Sequence, residues 1–399
     1  MTANTPLAGF TILDFTQFYQ GPYATFLLAK AGADVIKVEP PGGESLRAMA
    51  APGKEGSFPV AMLNANKRGI TLNLKTDAGR DLLRRLIPQV DAVVENYSPG
   101  VMDRLGVGWP VLSALNPRLV YATATGFGLS GPDRDNLAMD FTIQAASGVM
   151  SLTGMPDGPP LRTGAPYVDI LGGATLYGGL VTALLERERT GRGRLVEVAM
   201  VEAVYPCLAT AQDQYFKAGC KVPARTGNAF ANHARAPYNV YPAKDGHVAI
   251  ILVTETQWQN LLRAMGREDL RDDPRFIRNQ ARAAHYAETE ALVTGWTTAH
   301  TRAEIFAATS RYRIPCAPVR ELEEVMHDPH MHARGALEVV DHYDFGPVVM
   351  PNSPLRFHGA DKVPTRVSPH VGEHNEAVYG GMLGLGAAEL EALRTNGVI

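Results

Sequence analysis

Cysteine is scarce in this chain: three in 399 residues, Cys207, Cys220 and Cys316, odd in number and widely spaced. That excludes a paired disulfide framework and any CxxC metal site, and makes a reduced, cytoplasmic setting the expectation. Net charge is nearly absent too, since 38 Lys and Arg against 41 Asp and Glu leave -3. No basic field for nucleic acid and no polybasic patch for a membrane surface follows from such a balance. Long apolar runs are missing by eye. A stretch such as Val248–Val253 has strand length and falls short of the ~20 residues that span a bilayer. The opening Met1-Thr-Ala-Asn-Thr-Pro6 lacks the charged and apolar regions of a signal peptide. There is no internal repeat and no low-complexity tract. What remains is ordinary globular composition, 45% hydrophobic and 20% charged, in a chain long enough for two or more domains.

The first half alternates strand and helix patterns. Phe10–Phe15 reads as a strand, Gly21–Lys30 as a helix and Asp34–Glu39 as the next strand. Ile70–Leu74, Ala92–Glu95 and Leu119–Ala124 continue the series, with a helix over about Thr76–Ile87. A long helix, Ala174–Arg189, and a strand, Leu195–Met200, follow. This alternation predicts α/β architecture, with parallel βαβ units, helices on both sheet faces and ligands at the carboxyl ends of the strands. Residues from about Ala209 to Ala236, with Gly219, Pro223 and Gly227, carry little periodicity and read as a linker. A shorter set then suggests a second, smaller domain: a strand at His247–Val253 and helices at Gln257–Met265, Arg282–Ala299 and Arg302–Arg311. The tail, with strands at Ala336–Val340 and Gly346–Met350 and a helix near Ala387–Arg394, is able to rejoin the first domain.

One segment stands out chemically. Leu161-Arg-Thr-Gly-Ala-Pro-Tyr-Val-Asp-Ile-Leu-Gly-Gly173 sets the carboxylate of Asp169 just before a glycine pair that opens the long helical run. An aspartate there reads as an N-cap, satisfying orphan donors of the helix start. The local pattern favours that reading; the sharper one is a nucleophile, since Gly172 and Gly173 would admit a substrate close to the backbone and nearby amides would stabilise an oxyanion.

Other motifs weaken on inspection. Gly126-Phe-Gly-Leu-Ser-Gly131 spells GxGxxG after a strand. A dinucleotide site needs its third glycine in a helix and an acid about 20 residues on. Here Pro132-Asp-Arg-Asp-Asn136 follows, so a glycine-rich turn is the reading and NAD is not expected. His327, His330 and His332 suggest zinc, but Pro329 breaks the register and no Cys or second His pair completes a tetrahedral set; solvated loop histidines are expected, with no metal. His374 reads as structural. Three polar turns at strand ends carry cations: Asn66-Lys-Arg68, Val94-Glu-Asn-Tyr-Ser-Pro-Gly100 leading into Met102-Asp-Arg-Leu-Gly106, and Thr190-Gly-Arg-Gly-Arg194. Each alone is a solvated face, while together they would hold a polyphosphate and an adenine.

In combination these segments resemble the CaiB/BaiF family, the class III coenzyme A transferases, along essentially the whole chain. The likeness rests on Asp14-Phe-Thr16, Gly21-Pro22, Gly32-Ala-Asp-Val-Ile-Lys-Val-Glu39, Asn66-Lys-Arg68, Val94-Glu-Asn96 with Pro99-Gly100, Gly154 through Pro160, Asp169, Gly191-Arg-Gly193 and Met200. The resemblance implies a Rossmann-like large domain over residues 1–208, a linker at 209–236, a small α/β domain at 237–320 and a returning segment at 321–399. It further implies an interlocked homodimer, with each active site combining Asp169 of one subunit with small-domain residues of the other.

The same resemblance makes Asp169 the nucleophile. The carboxylate, taken as ionised at neutral pH and needing no general base, attacks an acyl-CoA thioester to give a mixed anhydride. CoA returns to form an aspartyl-CoA thioester, and an acceptor acid displaces it. Gln17, Lys75, Asn96, Tyr97 and Arg104 fall on CoA-contact positions. Tyr19, Gly172 and Gly173 fall at the active-site backbone, and Asn232 and His233 in a flap near Gly227–Arg235. The partners implied are an acyl-CoA, a carboxylic acid and a second copy of the chain, with no nucleic acid, no membrane and no cofactor beyond the thioester substrate. The flap lacks the glycine run of formyl-CoA transferase, and Leu137-Ala138 stand where that enzyme has a lysine, so formyl-CoA and oxalate are not the expected substrates. The alternatives are a 2-methylacyl-CoA racemase, whose His-Asp step is Met139-Asp140 here, and a non-catalytic CoA-binding protein.

Overall fold

The computed structural model describes residues 4–222 and 224–399; Pro223 of the expected linker and Met1–Ala3 lie outside the described residues. The chain forms two compact units, one of Met1–Ser147, Gly164–Pro206 and Asp328–Ile399, the other of Gly148–Thr163 and Cys207–His327.

The first unit is built on six parallel strands: β1 (Thr11–Asp14), β2 (Asp34–Glu39), β3 (Arg68–Thr71), β4 (Ala92–Glu95), β5 (Val120–Thr125) and β6 (Leu195–Ala199). Their order across the sheet is β3-β2-β1-β4-β5-β6, the doubly wound order whose direction reverses beside β1. Alternate residues feed alternate faces: Leu13, Ile36 and Val93 enter one apolar cluster, while Ile12, Val35, Ala92 and Val94 enter the other. Helices cover both clusters, which is why these strands are apolar on both sides. The crevice that such a reversal opens lies at the carboxyl ends of β1 and β4.

Three expectations shift. β3 ends at Thr71, earlier than the predicted Leu74, because its ladder partner Glu39 is the last residue of β2. The Asn73 side chain then accepts from Lys75 N at 3.1 Å and turns the chain toward the helix Asp77–Leu86. The long helix runs Tyr167–Thr190, starting seven residues before the predicted Ala174. By length and composition it is the described helix that passes as a membrane span, which inspection of the sequence overlooked. Here Leu176, Leu180 and Leu184 of that helix pack on Val94, Val120 and Ala122 of the sheet. In the second unit the predicted helix Arg282–Ala299 resolves into Asn279–Ala284 and Tyr286–Thr297, broken at His285.

Beneath the end of β1 lies a buried ionic group. Asp14 accepts from Lys67 Nζ at 2.8 Å, Thr25 Oγ1 at 2.7 Å and Thr16 Oγ1 at 2.5 Å. Lys37 reaches Thr16 O and pairs with Glu44 at 3.4 Å, and Glu39 holds Arg47 at 2.7 Å. Burial alone would raise the Asp14 pKa, yet Lys67 and Lys37 hold it below the usual carboxylate range. Burial pushes Lys67 down to about 8 against the opposing pull of Asp14. Removing one partner from such a set leaves an uncompensated charge at a cost of about 3–5 kcal/mol. The family motifs Asp14-Phe-Thr16 and Asn66-Lys-Arg68 therefore meet as the floor of the loop after β1.

The second unit pairs β7 (Tyr238–Ala243), β8 (Gly246–Ile251) and β9 (Cys316–Pro318) antiparallel. Helices Glu255–Met265 and Arg302–Arg311 pack over them around Tyr241, Trp258, Val293 and Ile305. Residues Ala209–Lys217, at the start of the span that reads as linker, form a helix. Gly154, carried in the sequence by the Gly154–Pro160 motif, accepts from Gly227 N at 3.1 Å within this unit.

Candidate active site

The loop after β1 is fixed from across the sheet. Asn96, the first residue past β4, accepts from Gln17 N at 2.7 Å and donates from Nδ2 to Gln17 O at 2.8 Å. This side chain, expected to touch CoA, forms a double clamp on the neighbouring loop, bridging the two strand ends where the sheet reverses. Gln17 Nε2 donates to Tyr97 Oη at 3.3 Å. Tyr97 N donates to Glu95 Oε2 at 2.8 Å; burial lifts Glu95 to about 7 despite bonds from Thr123, Tyr97 and Tyr121. Phe18 takes φ 62°, a left-handed turn that sends the chain from this clamp into Tyr19 and the helix Gln20–Lys30.

Asp169 lies in the first turn of the helix Tyr167–Thr190 and caps nothing; Pro166 occupies the N-cap position. The N-cap reading of Asp169 is thus corrected. The free amides of Val168 and Asp169 are taken by another carboxylate, Asp140 Oδ2, at 2.9 and 3.2 Å. Burial first, and Asp140 second, raise the Asp169 pKa to about 7. The expectation of a carboxylate fully ionised at neutrality is corrected accordingly: a helix N-terminus usually favours the charged form, and desolvation wins here. Tyr19 is part of the same group, its phenol raised by burial and then by Asp169.

Gly172 and Gly173 lie inside this helix, so their amides are used by its i to i-4 ladder and do not form an oxyanion hole. They provide close approach instead. A Cβ on Gly172 would stand 2.8 Å from Gln20 Nε2, and one on Gly173 2.4 Å from Gln20 O. The glycine pair brings the turn after Asp169 against the start of the helix Gln20–Lys30. Gln20 is 3% exposed, and its Nε2 is buried with no hydrogen-bond partner.

The remaining expected positions are spread out. Lys75 is exposed in the turn after β3, and Arg104 is exposed at the end of the short helix Val101–Arg104. Asn232 and His233 belong to the second unit, both at positive φ, with the His233 ring 4.3 Å from that of Tyr286. The GxGxxG segment is a turn, with Gly128 N donating to Thr125 Oγ1 at 2.8 Å. His374 is structural, accepting from Gly69 N at 3.1 Å beside β3. His330 and His332 lie in the helix Pro329–Ala333, which Asp328 caps. Sequence reasoning missed Asp140, Gln20 and Glu95. For Asp140 the signal was present in Met139-Asp-Phe-Thr142, a helix start with an acid in its first turn.

Comparison with known proteins follows the same lines. The family model described as CoA-transferase family III matches residues 7–375. A formyl-CoA:oxalate CoA-transferase of Streptomyces avermitilis is 38% identical over 98% of this chain and 99% of its own length. A succinyl-CoA–D-citramalate CoA-transferase of Chloroflexus aurantiacus is 35% identical over 99% and 98%. A succinate–glutarate CoA-transferase of Agrobacterium fabrum is 33% identical over 97% and 96%. Among solved structures, a CaiB/BaiF family protein from Brucella suis superposes with a TM-score of 0.84 at 33% identity, covering 95% of this chain and 100% of that one. A doubly wound α/β enzyme is thereby placed: the chain belongs to CoA-transferase family III, the class III CoA-transferases.

Proposed function

We propose that this enzyme moves coenzyme A from an acyl-CoA donor to a carboxylic acid acceptor through covalent intermediates on Asp169. The observation that carries the reading is Asp169 itself: a half-buried carboxyl with a raised pKa, beside Tyr19 and next to the strand-end crevice. Ionised Asp169 attacks the thioester carbonyl, a C–O bond forms, the C–S bond breaks, and the charge leaves with the CoA thiolate. The thiolate attacks the aspartyl carbonyl of the anhydride and releases the donor acid. The acceptor carboxylate attacks the carbonyl of the aspartyl-CoA thioester, forming a second mixed anhydride and expelling the CoA thiolate; the thiolate then attacks the acceptor's carbonyl of that anhydride, giving the product acyl-CoA and releasing the Asp169 carboxylate. Water must be kept out, because the anhydride hydrolyses. The carboxylate supplies the nucleophile, so the reading needs no metal and no nicotinamide.

Gln17 and Tyr97 border the thioester end of the crevice, held by Asn96. Lys75 and Arg104, both exposed cations, serve the phosphates, and Asn232 and His233 belong to the flap. The names of the relatives run over small acids, including oxalate, citramalate and glutarate, which supports a small carboxylate as acceptor. The enzyme works as an interlocked homodimer in the cytoplasm, without nucleic acid or membrane. Phe141 at 59% and Leu185 at 53% exposure are apolar side chains that a partner copy would cover. A racemase reading is disfavoured because Met139, at the histidine position, carries no proton to exchange.

Electrospray mass spectrometry after incubation with a panel of acyl-CoAs tests the reading. The expected result is a covalent acyl or CoA adduct on wild type and none on Asp169→Asn, with transfer slowed by at least about three decades. Comparable turnover in the Asn variant removes the covalent mechanism.

A further inference from the structure

The carboxylate of Asp140 is the group around Asp169 that the transfer reaction leaves unexplained. Asp140 opens the short helix Asp140–Ala146, yet its side chain faces a different helix. Oδ2 accepts from Val168 N at 2.9 Å and Asp169 N at 3.2 Å, while Oδ1 accepts from Gln144 Nε2 at 2.6 Å. Gln144 is fully buried, so the carboxylate is held from its own helix as well. The helix Tyr167–Thr190 begins with Pro166 at its N-cap, and proline offers no side-chain acceptor for the orphan amides. Asp140 supplies that acceptor from outside the helix.

A neutral acceptor would serve as a cap; serine and asparagine do so routinely. What aspartate adds is a negative charge at the backbone of the nucleophile. We propose that Asp140 is a positioning residue for Asp169, fixing the turn that carries it and setting a second charge beside it so that acylation relieves a repulsion. The inference rests on the transferase reading of Asp169. When the Asp169 oxygen forms its bond to the acyl carbon and the C–S bond breaks, the negative charge departs with the thiolate. The acylated aspartate is neutral, and so is the aspartyl-CoA thioester. Asp140 therefore opposes the resting carboxylate and leaves both intermediates untouched. The groups that bear on Asp169 are Asp140, from the helix Asp140–Ala146, and Tyr19, from the loop after β1. The raised pKa of Asp169 accords with this arrangement, burial being its first cause and Asp140 its second.

Two neutral caps, Asp140→Asn and Asp140→Ser, separate charge from capping. A water-soluble diazo reagent, which esterifies protonated carboxyl groups with loss of N2, reads the state of Asp169 with no acyl-CoA present. Peptide mass spectrometry gives its labelling against pH. Wild type is expected to label up to near neutrality. In the folded neutral variants the labelling limb is expected to move down by about one pH unit, the effect of a tenfold change in proton affinity. Single-turnover acylation at high pH, where Asp169 is ionised in all three proteins, is expected to slow by about tenfold as the repulsion is lost. A limb that stays put in either folded variant overturns the proposal, as does a wild-type limb in the ordinary carboxylate range. A wild type that labels near neutrality but forms no acyl adduct overturns the transferase reading and leaves the role of Asp140 standing.

Discussion

At the scale of single residues, the site sets activity against stability. Asp169 has its pKa raised to about 7 by burial and then by Asp140. Its folded-state value lies above the unfolded one, so its contribution to stability is present below about pH 4. That contribution is lost as pH rises through about 7. On the proposed mechanism, catalysis needs the ionised form and runs the other way. Initial rates at donor concentrations well below saturation are expected to climb with pH along a limb centred near 7, the value of the free carboxyl; a rate flat from pH 5 to 8 would remove Asp169 as the titrating nucleophile. Asp169→Asn removes the ionisation altogether. Its melting temperature is expected to exceed that of wild type at pH 8 and to approach it at low pH, measured by calorimetry across the range.

At the scale of elements, two close junctions position the chemistry. One is the Asn96 clamp on Gln17, which ties the loop after β1 to the end of β4. Asn96→Ala leaves the Gln17 amide and carbonyl without these partners, at about 1–3 kcal/mol for each buried group left unpaired. A raised KM for acyl-CoA is expected, with kcat changed less, because the loop rather than the nucleophile is released; unchanged kinetics would show the clamp to be dispensable. The other junction is the glycine pair. Gly173→Ala places a methyl 2.4 Å from Gln20 O, a backbone atom that cannot turn aside. The two helices must separate, so a loss of about 1–3 kcal/mol in chemical denaturation is expected. Activity is expected to fall further than that loss explains, because the first turn carrying Asp169 moves with the helix.

At the scale of the molecule, the composition of the first unit points to a second copy. The helix Tyr167–Thr190 is apolar enough to pass as a membrane span, and here it is buried where it meets the sheet and the helix Gln20–Lys30. Leu185, Phe141 and Leu137 stay at 53%, 59% and 83% exposure, apolar side chains that a partner surface would cover. An obligate homodimer is the expected state, with dissociation inseparable from unfolding. Analytical ultracentrifugation checks this: a folded, fully active monomer at low concentration would refute it. Residues Met1–Met200 expressed alone are expected to be insoluble or inactive. They lack Tyr379, whose Oη donates to Thr71 O at 2.8 Å, and the C-terminal Val398 and Ile399 of the core.

Periodicity located the strands of the first unit, though not all of their ends. β2 and β4 fall where alternating and continuous apolar runs placed them, because a strand buried on both faces writes its pattern locally. Asp169 stood out in the sequence as a carboxylate with a glycine pair behind it, and the family motifs covered the chain. Tertiary structure decided what each motif does. The start of the long helix was hidden because its cap comes from Asp140, 28 residues earlier in the chain, and no local pattern encodes a cap supplied from elsewhere. Asn96 became a clamp, and Gly172 and Gly173 a helix contact, because their partners lie on the loop after β1 and the helix that follows it. β9 was missed since three residues flanked by Pro315 and ending in Pro318 carry no periodicity. The raised pKa of Asp169 is likewise not a property of its neighbours in sequence. It is set by burial and by Asp140, and both exist only once the chain has folded.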